Sequence, residues 1–380
     1  MALPRRRVLM VPVTGIAVAV AVAILLVNRD ERPRDEGTPA PASTSLLFAE
    51  FGTNADRVFR AEARDPSVRS LVATIPHAPE WGINAAARPA GDLVAFTVLP
   101  ATARPERDTP AELRVLDLAD GRTRLLASDA DLLTAPVFDR NGTHVVYRSD
   151  GELGTQTLVS VDLATGARRT VYELETTFGV YPVGFGADGR LLFASLSRGG
   201  TDLVRAGADG GPELVIHASD EVARDWQLSP DGKRIAFLVP QTQNERTVNR
   251  LRVVDLTTRS PLSVNSVQVP PAIEEYAPAW SPDGSAVTLG REAFPDARAG
   301  AVTYPLSGGT PSALAPPARG YDVPIDWSTD GQYLAVRSFD GMTTQDPGEE
   351  SLVIVATSGG RMTVSAANEV LFLGWVASSG

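Results

Sequence analysis

A turn motif that recurs at near-regular spacing constrains the fold of this 380-residue chain more than any other feature. Its clearest copy reads Trp-Ser-Pro-Asp-Gly, from Trp280 to Gly284, and an apolar run follows it. Successive motif glycines are 51, 47, 43, 52 and 47 residues apart, a period that indicates one repeated supersecondary unit. The motif glycines are Gly91, Gly142, Gly189, Gly232, Gly284 and Gly331.

Each repeat is predicted to contain four short strands. Around Gly232, the segments RDWQL, RIAFLV, RLRVVDL and PLSVN are apolar or alternating, and polar turns separate them. Four antiparallel strands in every 40–50 residues or so are typical of a β-propeller blade. In the turn, proline presets φ, aspartate bonds the local backbone and glycine accepts a positive φ. We therefore expect Asp283 to serve the turn and Trp280 to fill the wedge between neighbouring sheets.

The two ends of the body are predicted to complete one further blade. SLLFAEF, DRVFRAEA and SVRSLVATI precede the first motif and resemble the second to fourth strands of a blade, whereas the C-terminal EVLFLGWVASSG resembles a first strand. Closure removes the exposed sheet edges that invite aggregation. We therefore predict an all-β propeller of seven four-stranded blades over residues 45–380, closed by pairing the C-terminal strand with the N-terminal blade. Six blades with an N-terminal extension are the alternative.

The first 44 residues carry the signals of a membrane anchor. Residues 1–7 form a basic tail, and residues 8–27 are uncharged and mostly apolar, so that a helix formed by them would span the hydrocarbon core. The charges of Arg5, Arg6 and Arg7 place the N-terminus in the cytoplasm and the body outside it. Residues 28–44 form a charged, Pro-rich linker. We predict a single-pass cell-membrane protein; the alternative is a cleaved signal peptide and a secreted body.

Composition excludes several chemistries. The chain has no cysteine, which excludes disulfides, thiolate metal sites and a cysteine nucleophile. Its three histidines, His77, His144 and His217, are far apart in sequence, so we expect neither a metal site nor a cofactor. The formal net charge is −11, and an acidic body repels phosphate backbones. Nucleic acid is therefore not expected as a partner.

The pattern W-S-P-D-G-x-x-[apolar]-A-F resembles the WD40-like repeat of TolB-type β-propellers. The best matches are residues 280–284, 228–237 and 327–336. TolB proteins carry an additional N-terminal α/β domain, which we do not expect here. The resemblance implies an extracytoplasmic platform that binds proteins or ligands. We expect a monomeric propeller whose partner is an envelope protein, peptide or polysaccharide.

No catalytic motif accompanies the repeats. The G-x-S-x-G nucleophile elbow of peptidases that add a hydrolase domain to a propeller does not occur, and in the turn motif Asp is followed directly by Gly, unlike the S-x-D-x-G box of sialidases. We therefore expect a binding protein and not an enzyme. The alternative is an extracytoplasmic glycan- or peptide-processing enzyme with a site at the mouth of the propeller channel, because glycosidase chemistry needs only two facing carboxylates.

The candidate binding residues come from segments that lead into the first strand of each blade. These segments lie on the same face as the long loops between second and third strands, here called the loop face; the Asp-Gly turns lie on the opposite turn face. Function often lies in loops on a rigid scaffold. Tyr181, Arg224 and Tyr276 share one position and are expected to form a ring at the channel mouth, whereas packing between blades is the alternative for the aromatic residues. The candidates are Trp81, Tyr181, Arg224, Asp225, Glu275, Tyr276, Tyr321 and Asp322.

Overall fold

The computed structural model describes residues 44–105, 109–151, 154–207, 211–243, 245–264, 273–365 and 369–377, and all regular elements in these ranges are β-strands. No helix in these ranges is long and apolar enough to cross a membrane. The basic tail, the signal anchor and the linker up to residue 43 lie outside the described residues, so that what the sequence indicates for them stays a prediction.

Twenty-nine strands form six sheets within the described ranges. The first sheet contains β1 (Thr44–Glu50), β2 (Ala55–Glu62), β3 (Asp65–Pro76) and the C-terminal β29 (Val370–Ala377). An eight-stranded sheet contains β4 (Ala85–Ala86), β5 (Leu93–Val98), β6 (Ala111–Asp117), β7 (Thr123–Ala130), β8 (Val137–Phe138), β9 (His144–Asp150), β10 (Thr155–Asp162) and β11 (Arg168–Glu175).

Four more sheets follow in chain order. The third contains β12 (Gly179–Phe185), β13 (Leu191–Ser197), β14 (Gly200–Ala206) and β15 (Pro212–Ser219). The fourth contains β16 (Arg224–Leu228), β17 (Arg234–Gln243), β18 (Arg246–Asp255) and β19 (Ser260–Leu262). The fifth contains β20 (Glu275–Trp280), β21 (Ala286–Arg291), β23 (Val302–Pro305) and β24 (Ser312–Ala313). The sixth contains β22 (Arg298–Ala299), β25 (Gly320–Trp327), β26 (Tyr333–Phe339), β27 (Glu350–Ala356) and β28 (Arg361–Thr363).

The repeating element of these sheets is an antiparallel meander of four strands. The eight-stranded sheet consists of two such meanders, which meet where Ala130 of β7 pairs with Ser149 of β9. The short strand β22 departs from the pattern, since it pairs in parallel with β25. A four-stranded meander is the blade of a β-propeller, so the strand pattern predicted from the repeats is present throughout the described body.

The N-terminal sheet takes its first strand from the C-terminus. Strand β29 pairs antiparallel with β1, from Glu50 opposite Val370 to Thr44 opposite Ala377. Strand β1 in turn pairs with β2. The strand order β29-β1-β2-β3 therefore joins segments that are more than 300 residues apart.

The core consists of clusters that lie between neighbouring sheets. One cluster brings Leu46 and Phe48 of β1 and Trp375 of β29 against Ala335 and Ile354 of the sixth sheet. Another cluster joins the third sheet to the fourth in the same way. Each sheet is therefore covered by apolar side chains of its neighbours, and sheet-on-sheet burial supplies the main stabilisation of the body.

The Asp-Gly turns are closed by a local hydrogen-bond network. The hydroxyl of Ser281 donates to Asp283 Oδ1 at 2.7 Å, the N–H of Ser285 donates to the same oxygen at 3.0 Å, and Gly284 has a φ of 68°. These bonds hold the pKa of Asp283 at about 2. The turns at residues 229–232 and 328–331 repeat the network. The prediction that Asp283 serves the turn is confirmed.

Motif tryptophans tie the first strands that carry them to the preceding sheet. The indole N–H of Trp280 donates to the backbone oxygen of Gln227 at 2.8 Å, and its ring packs with Ala236 and Val253 of the fourth sheet. The indole of Trp375 donates to the backbone oxygen of Asp326 at 3.1 Å. The prediction that Trp280 fills the wedge between sheets is confirmed.

A polar bridge crosses the space between first strands. Arg88, which follows β4, donates to the side chain of Gln227 in β16 at 2.7 Å and lies 3.1 Å from the carboxylate of Asp326 in β25. Burial raises the pKa of Asp326, and the charge of Arg88 opposes this rise. The first strands of three sheets therefore approach to within the reach of one arginine side chain.

Candidate functional site

Two of the predicted site residues, Tyr276 and Tyr321, meet at the starts of neighbouring first strands. Their ring centroids are 4.9 Å apart, and Tyr321 stacks on Phe339 at 5.1 Å. Both tyrosines are buried. Burial raises the pKa of Tyr276, and the charge of Glu292 raises it further. Among the described residues the hydroxyl of Tyr276 has no hydrogen-bond partner, and the aromatic pair belongs to a buried cluster and not to the exposed surface.

Two predicted acids, Asp322 and Glu275, bind groups on strands that are not their neighbours in a sheet. Asp322 is fully buried and accepts two hydrogen bonds from Arg361, at 2.7 and 2.8 Å. The buried carboxylate of Glu275 accepts the backbone N–H of Leu251 at 2.7 Å. Burial raises the pKa of Glu275. Both carboxylates therefore already have hydrogen-bond partners within the protein.

Arg224 and Asp225 are the accessible members of the predicted site. The Arg224 guanidinium lies 3.6 Å from Asp225 and 3.4 Å from Glu274. Water reaches Asp225, whose side chain is 38% exposed, but protein surrounds it on several sides. That crowding raises the pKa of Asp225, the positive charges of Arg224 and Arg337 oppose the rise, and Glu274 adds to it.

Tyr181 has a different neighbour from the other two members of the expected ring. The guanidinium carbon of Arg148 lies 4.9 Å from the centroid of the Tyr181 ring, a cation–π distance. In the described part of the chain no hydrogen bond, ion pair or ring contact joins Tyr181, Arg224 and Tyr276 to one another. A shared ligand that would connect the three stays a prediction.

Reasoning from the sequence missed Glu292, the buried acid that supports Glu274. The side chain of Glu292 is fully buried, forms an ion pair with Arg246 and accepts the backbone N–H of Glu274 at 3.2 Å. Glu274 also accepts a hydrogen bond from Asn249. The only available signal was the position of Glu292 directly after the apolar strand β21, where a lone acid needs a partner.

Trp81, the remaining predicted residue, lies in a groove on the loop face. It lines a cavity of about 1000 Å³ together with Leu133, Asp129 and Asp131, and a second cavity of about 350 Å³ together with Phe51. Phe51 and Glu369 also line a third cavity, of about 370 Å³. Consecutive cavities share lining residues and are therefore adjacent, and the three together are here called the loop-face groove.

Exposed apolar side chains stand on four successive links of the loop face. Each link joins the last strand of one meander to the first strand of the next, and each apolar residue lies within four positions of that first strand. Trp81 is the one of these residues that was predicted from the sequence. The signal for the other three was an apolar residue inside a polar link. This apolar rim consists of Trp81 (41% exposed), Leu133 (71%), Phe178 (44%) and Val222 (59%).

A buried carboxylate fixes the link that carries Trp81. Asp56 is fully buried and accepts the backbone N–H of Ile83 at 2.6 Å and that of Gly52 at 3.2 Å. Its Oδ1 also lies 3.0 Å from Nε2 of the buried His77. Three segments of the chain therefore meet on one carboxylate, which positions Trp81 from below.

Comparison with solved structures shows the fold. The β-propeller domain of the trilobed protease from Pyrococcus furiosus matches with a TM-score of 0.54 and 12% identity, over 87% of this chain and 98% of that chain. An oligogalacturonate lyase in complex with manganese matches with a TM-score of 0.56 and 14% identity, over 86% of each chain. At these identities the likeness shows the fold alone: the chain is a β-propeller.

TolB from Acinetobacter baumannii is also among the similar structures. Its TM-score is 0.49, the identity is 17%, and the match covers 73% of this chain but only 64% of TolB, so the chain spans less than two thirds of TolB. No protein-family model and no curated protein matches the sequence.

The similar structures include a lyase and a domain of a protease, so the site and not the fold must indicate the function. Within the described ranges, no three side chains of His, Asp or Glu are grouped so that they could hold a metal ion. The features that distinguish the loop face are the groove and the apolar rim.

Proposed function

We propose that this chain is a membrane-tethered, extracytoplasmic β-propeller that binds an envelope protein or other envelope ligand on its loop face. The apolar rim is the observation that carries the proposal. The four rim side chains recur at equivalent places on four successive links, as a repeated binding face would present them, and they stand on one face of a scaffold whose opposite face is closed by local hydrogen bonds.

The proposal includes seven blades closed by the two chain ends. Its support is the meander pattern, with two meanders in the eight-stranded sheet, and the pairing of β29 with β1. The alternative of six blades and an N-terminal extension would leave β1 without the first-strand partner that β29 supplies. The single-pass anchor and the extracytoplasmic location rest on residues 1–44 of the sequence alone.

Within the predicted site we assign different roles to different residues. Trp81, Arg224 and Asp225 are accessible and would contact the partner. The buried Glu275, Tyr276, Tyr321 and Asp322 would support the channel mouth from within. Tyr181 would hold Arg148 beside the loop-face groove. We favour binding over catalysis because the accessible residues present apolar and charged side chains to solvent, as a contact surface does.

The test compares two variants of the full-length chain in co-purification from envelope membranes. In the rim variant, Trp81, Leu133, Phe178 and Val222 are each replaced by serine. The matched control carries the same change at four comparably exposed apolar residues on the outer strands of the sheets, which are Val68, Leu71, Leu125 and Leu214.

We expect the rim variant to lose the proteins or polymers that co-purify with the unmodified chain, and the control to retain them. Both variants should keep the thermal melting temperature of the parent, because exposed apolar side chains contribute little to folding. Equal recovery with the rim variant, or equal loss with the control, would show that the loop face is not the binding surface.

A further inference from the structure

Carboxylates line the loop-face groove along its whole length. Among the described residues that line its three cavities, six are acidic and one, Arg337, is basic. Arg337 is held by Glu350 in a two-bond ion pair of 2.6 and 2.7 Å. The acidic lining residues are Glu80, Asp129, Asp131, Asp150, Glu350 and Glu369.

Only part of this negative charge is neutralised from behind. Arg168 pairs with Asp129 at 2.5 Å, and Arg148 lies 2.8 Å from Asp131 and 3.2 Å from Asp150. At the centre of the groove the exposed acids Glu80 and Glu369 form no ion pair within the described ranges. The groove therefore presents a negative potential to a ligand, in keeping with the net charge of −11 for the chain.

Apolar side chains interrupt the acids at intervals. Phe51 lies between the two smaller cavities, Trp81 between the middle and the largest cavity, and Leu133 in the largest one. Hydroxyl and amide side chains fill the intervening positions; they include Thr53, Asn84, Thr109, Thr155 and Thr176. Neutral donors and acceptors between side-chain pockets match the alternating needs of an extended backbone.

The buried Arg148 lies behind two acids that line the groove. Arg148 is 8% exposed, and among the described residues its Nη1 has no hydrogen-bond partner. Its ion-pair partners Asp131 and Asp150 both line the groove. Arg148 therefore holds two groove acids in place from behind, and a ligand side chain bearing a positive charge would pair with these acids.

We infer that the loop-face groove binds an extended polypeptide segment that carries lysine or arginine side chains alternating with apolar ones. The inference rests on the proposed function and names its partner chemistry. Charge complementarity separates this ligand from an anionic polymer such as polygalacturonate, which would meet more carboxylates than guanidinium groups, because like charges brought together at an interface are strongly unfavourable.

The probe is a fluorescein-labelled, capped heptapeptide of alternating lysine and leucine, titrated with the purified full-length chain and followed by anisotropy. We expect binding that weakens at least fivefold between about 0.05 and 0.5 M salt, since exposed charges are screened at high ionic strength. The matched heptapeptide of alternating glutamate and leucine, and polygalacturonate as competitor, should show no binding to the groove.

The decisive variants change charge alone. Glu80→Gln with Glu369→Gln should weaken binding of the lysine peptide about fivefold, the sum of two exposed ion pairs. The control is Asp92→Asn with Asp120→Asn, two exposed acids in turns on the turn face, which removes the same net charge and should leave binding within about 1.5-fold. Equal binding of the glutamate peptide, an unchanged affinity of the Gln variant, or equal weakening in the control would overturn the inference.

The two proposals fail separately. If the Gln variant binds the lysine peptide normally while the rim variant still loses its envelope partners, then the loop face is the binding surface and the charge inference is wrong. If the rim variant retains its partners but the lysine peptide binds with the expected dependence on Glu80 and Glu369, then the groove binds basic segments and the rim is not the contact.

Discussion

The two faces of the propeller differ in how their polar groups are used. On the turn face, Asp231, Asp283 and Asp330 close three successive turns with the same bonds to a serine hydroxyl and a backbone N–H. On the loop face, acids bind arginines or backbone N–H groups of distant segments, and apolar side chains are exposed to solvent.

This difference separates the residues that specify the fold from those that can vary with the ligand. A turn whose hydrogen bonds are completed within five residues has no capacity left for a partner, whereas a link whose polar groups depend on distant segments can be rebuilt without altering the sheets. The most regular motif in the sequence is therefore scaffold, and the irregular links carry the proposed binding surface.

The largest loss of stability is expected at Trp280, whose side chain packs between two sheets. Trp280→Ala removes an indole that packs across the wedge and its bond to Gln227 O, and truncation of a buried tryptophan costs about 4 kcal/mol. Urea denaturation of the variant should show this loss. Trp280→Phe, which keeps the ring but not the N–H, should cost about 1 kcal/mol; equal costs for both changes would contradict the wedge role.

An intermediate loss of stability is expected when the buried carboxylate of Asp56, beneath the loop face, is removed. Asp56→Ala leaves the N–H groups of Ile83 and Gly52 and the ring of His77 without their acceptor in a buried site, which should cost about 3 kcal/mol in the same assay. The exposed Asp92→Ala should be neutral within about 0.5 kcal/mol. The variant should also quench or shift Trp81 fluorescence, because its link loses support; unchanged stability would show that the link folds independently of Asp56.

The smallest expected loss of stability tests whether the Asp-Gly turns of the turn face are equivalent, local structures. Asp283→Ala should cost about 1–2 kcal/mol at pH 7 through lost turn hydrogen bonds, and Asp231→Ala should cost the same. The pKa of Asp283 is lowered to about 2 in the folded chain, against about 3.9 when unfolded. Its charge-dependent stabilisation is present above pH 4 and is lost as the pH falls through 2.

The difference in stability between Asp283→Ala and the parent should therefore narrow over that acid range, as measured by denaturation at fixed pH. A difference in stability that stays constant from pH 6 to pH 2.5 would argue against equivalent local networks on the turn face. Very different losses of stability in the Asp283 and Asp231 variants would argue against them as well.

The sequence revealed the scaffold because the scaffold is local. The turn, the position of Trp280 and the strand pattern depend on residues within one repeat, so their spacing was sufficient to predict them. The candidate site mixed accessible and buried residues, because burial of Tyr321 and Asp322 depends on partners in other strands, such as Phe339 and Arg361.

The loop-face groove could not be predicted from the sequence for a related reason. Its cavities are joined by Phe51, Trp81 and Glu369, and these three become neighbours only after β29 has paired with β1. The sequence pointed to Trp81 by residue type and position, but neither periodicity nor composition indicates which distant acids will lie beside it. The partner chemistry follows from those acids.

The place of β1 within its sheet has a mechanical consequence. Thr44 begins β1 and donates to Asp330 in a turn of the sixth sheet at 3.0 Å, so the chain enters the propeller on the turn face, away from the groove. Because β1 lies between β29 and β2, tension applied upstream along its axis loads two ladders of hydrogen bonds in shear, all at once, and does not peel an outer strand bond by bond. A body held through its N-terminus would in this way resist extraction by the partner it holds.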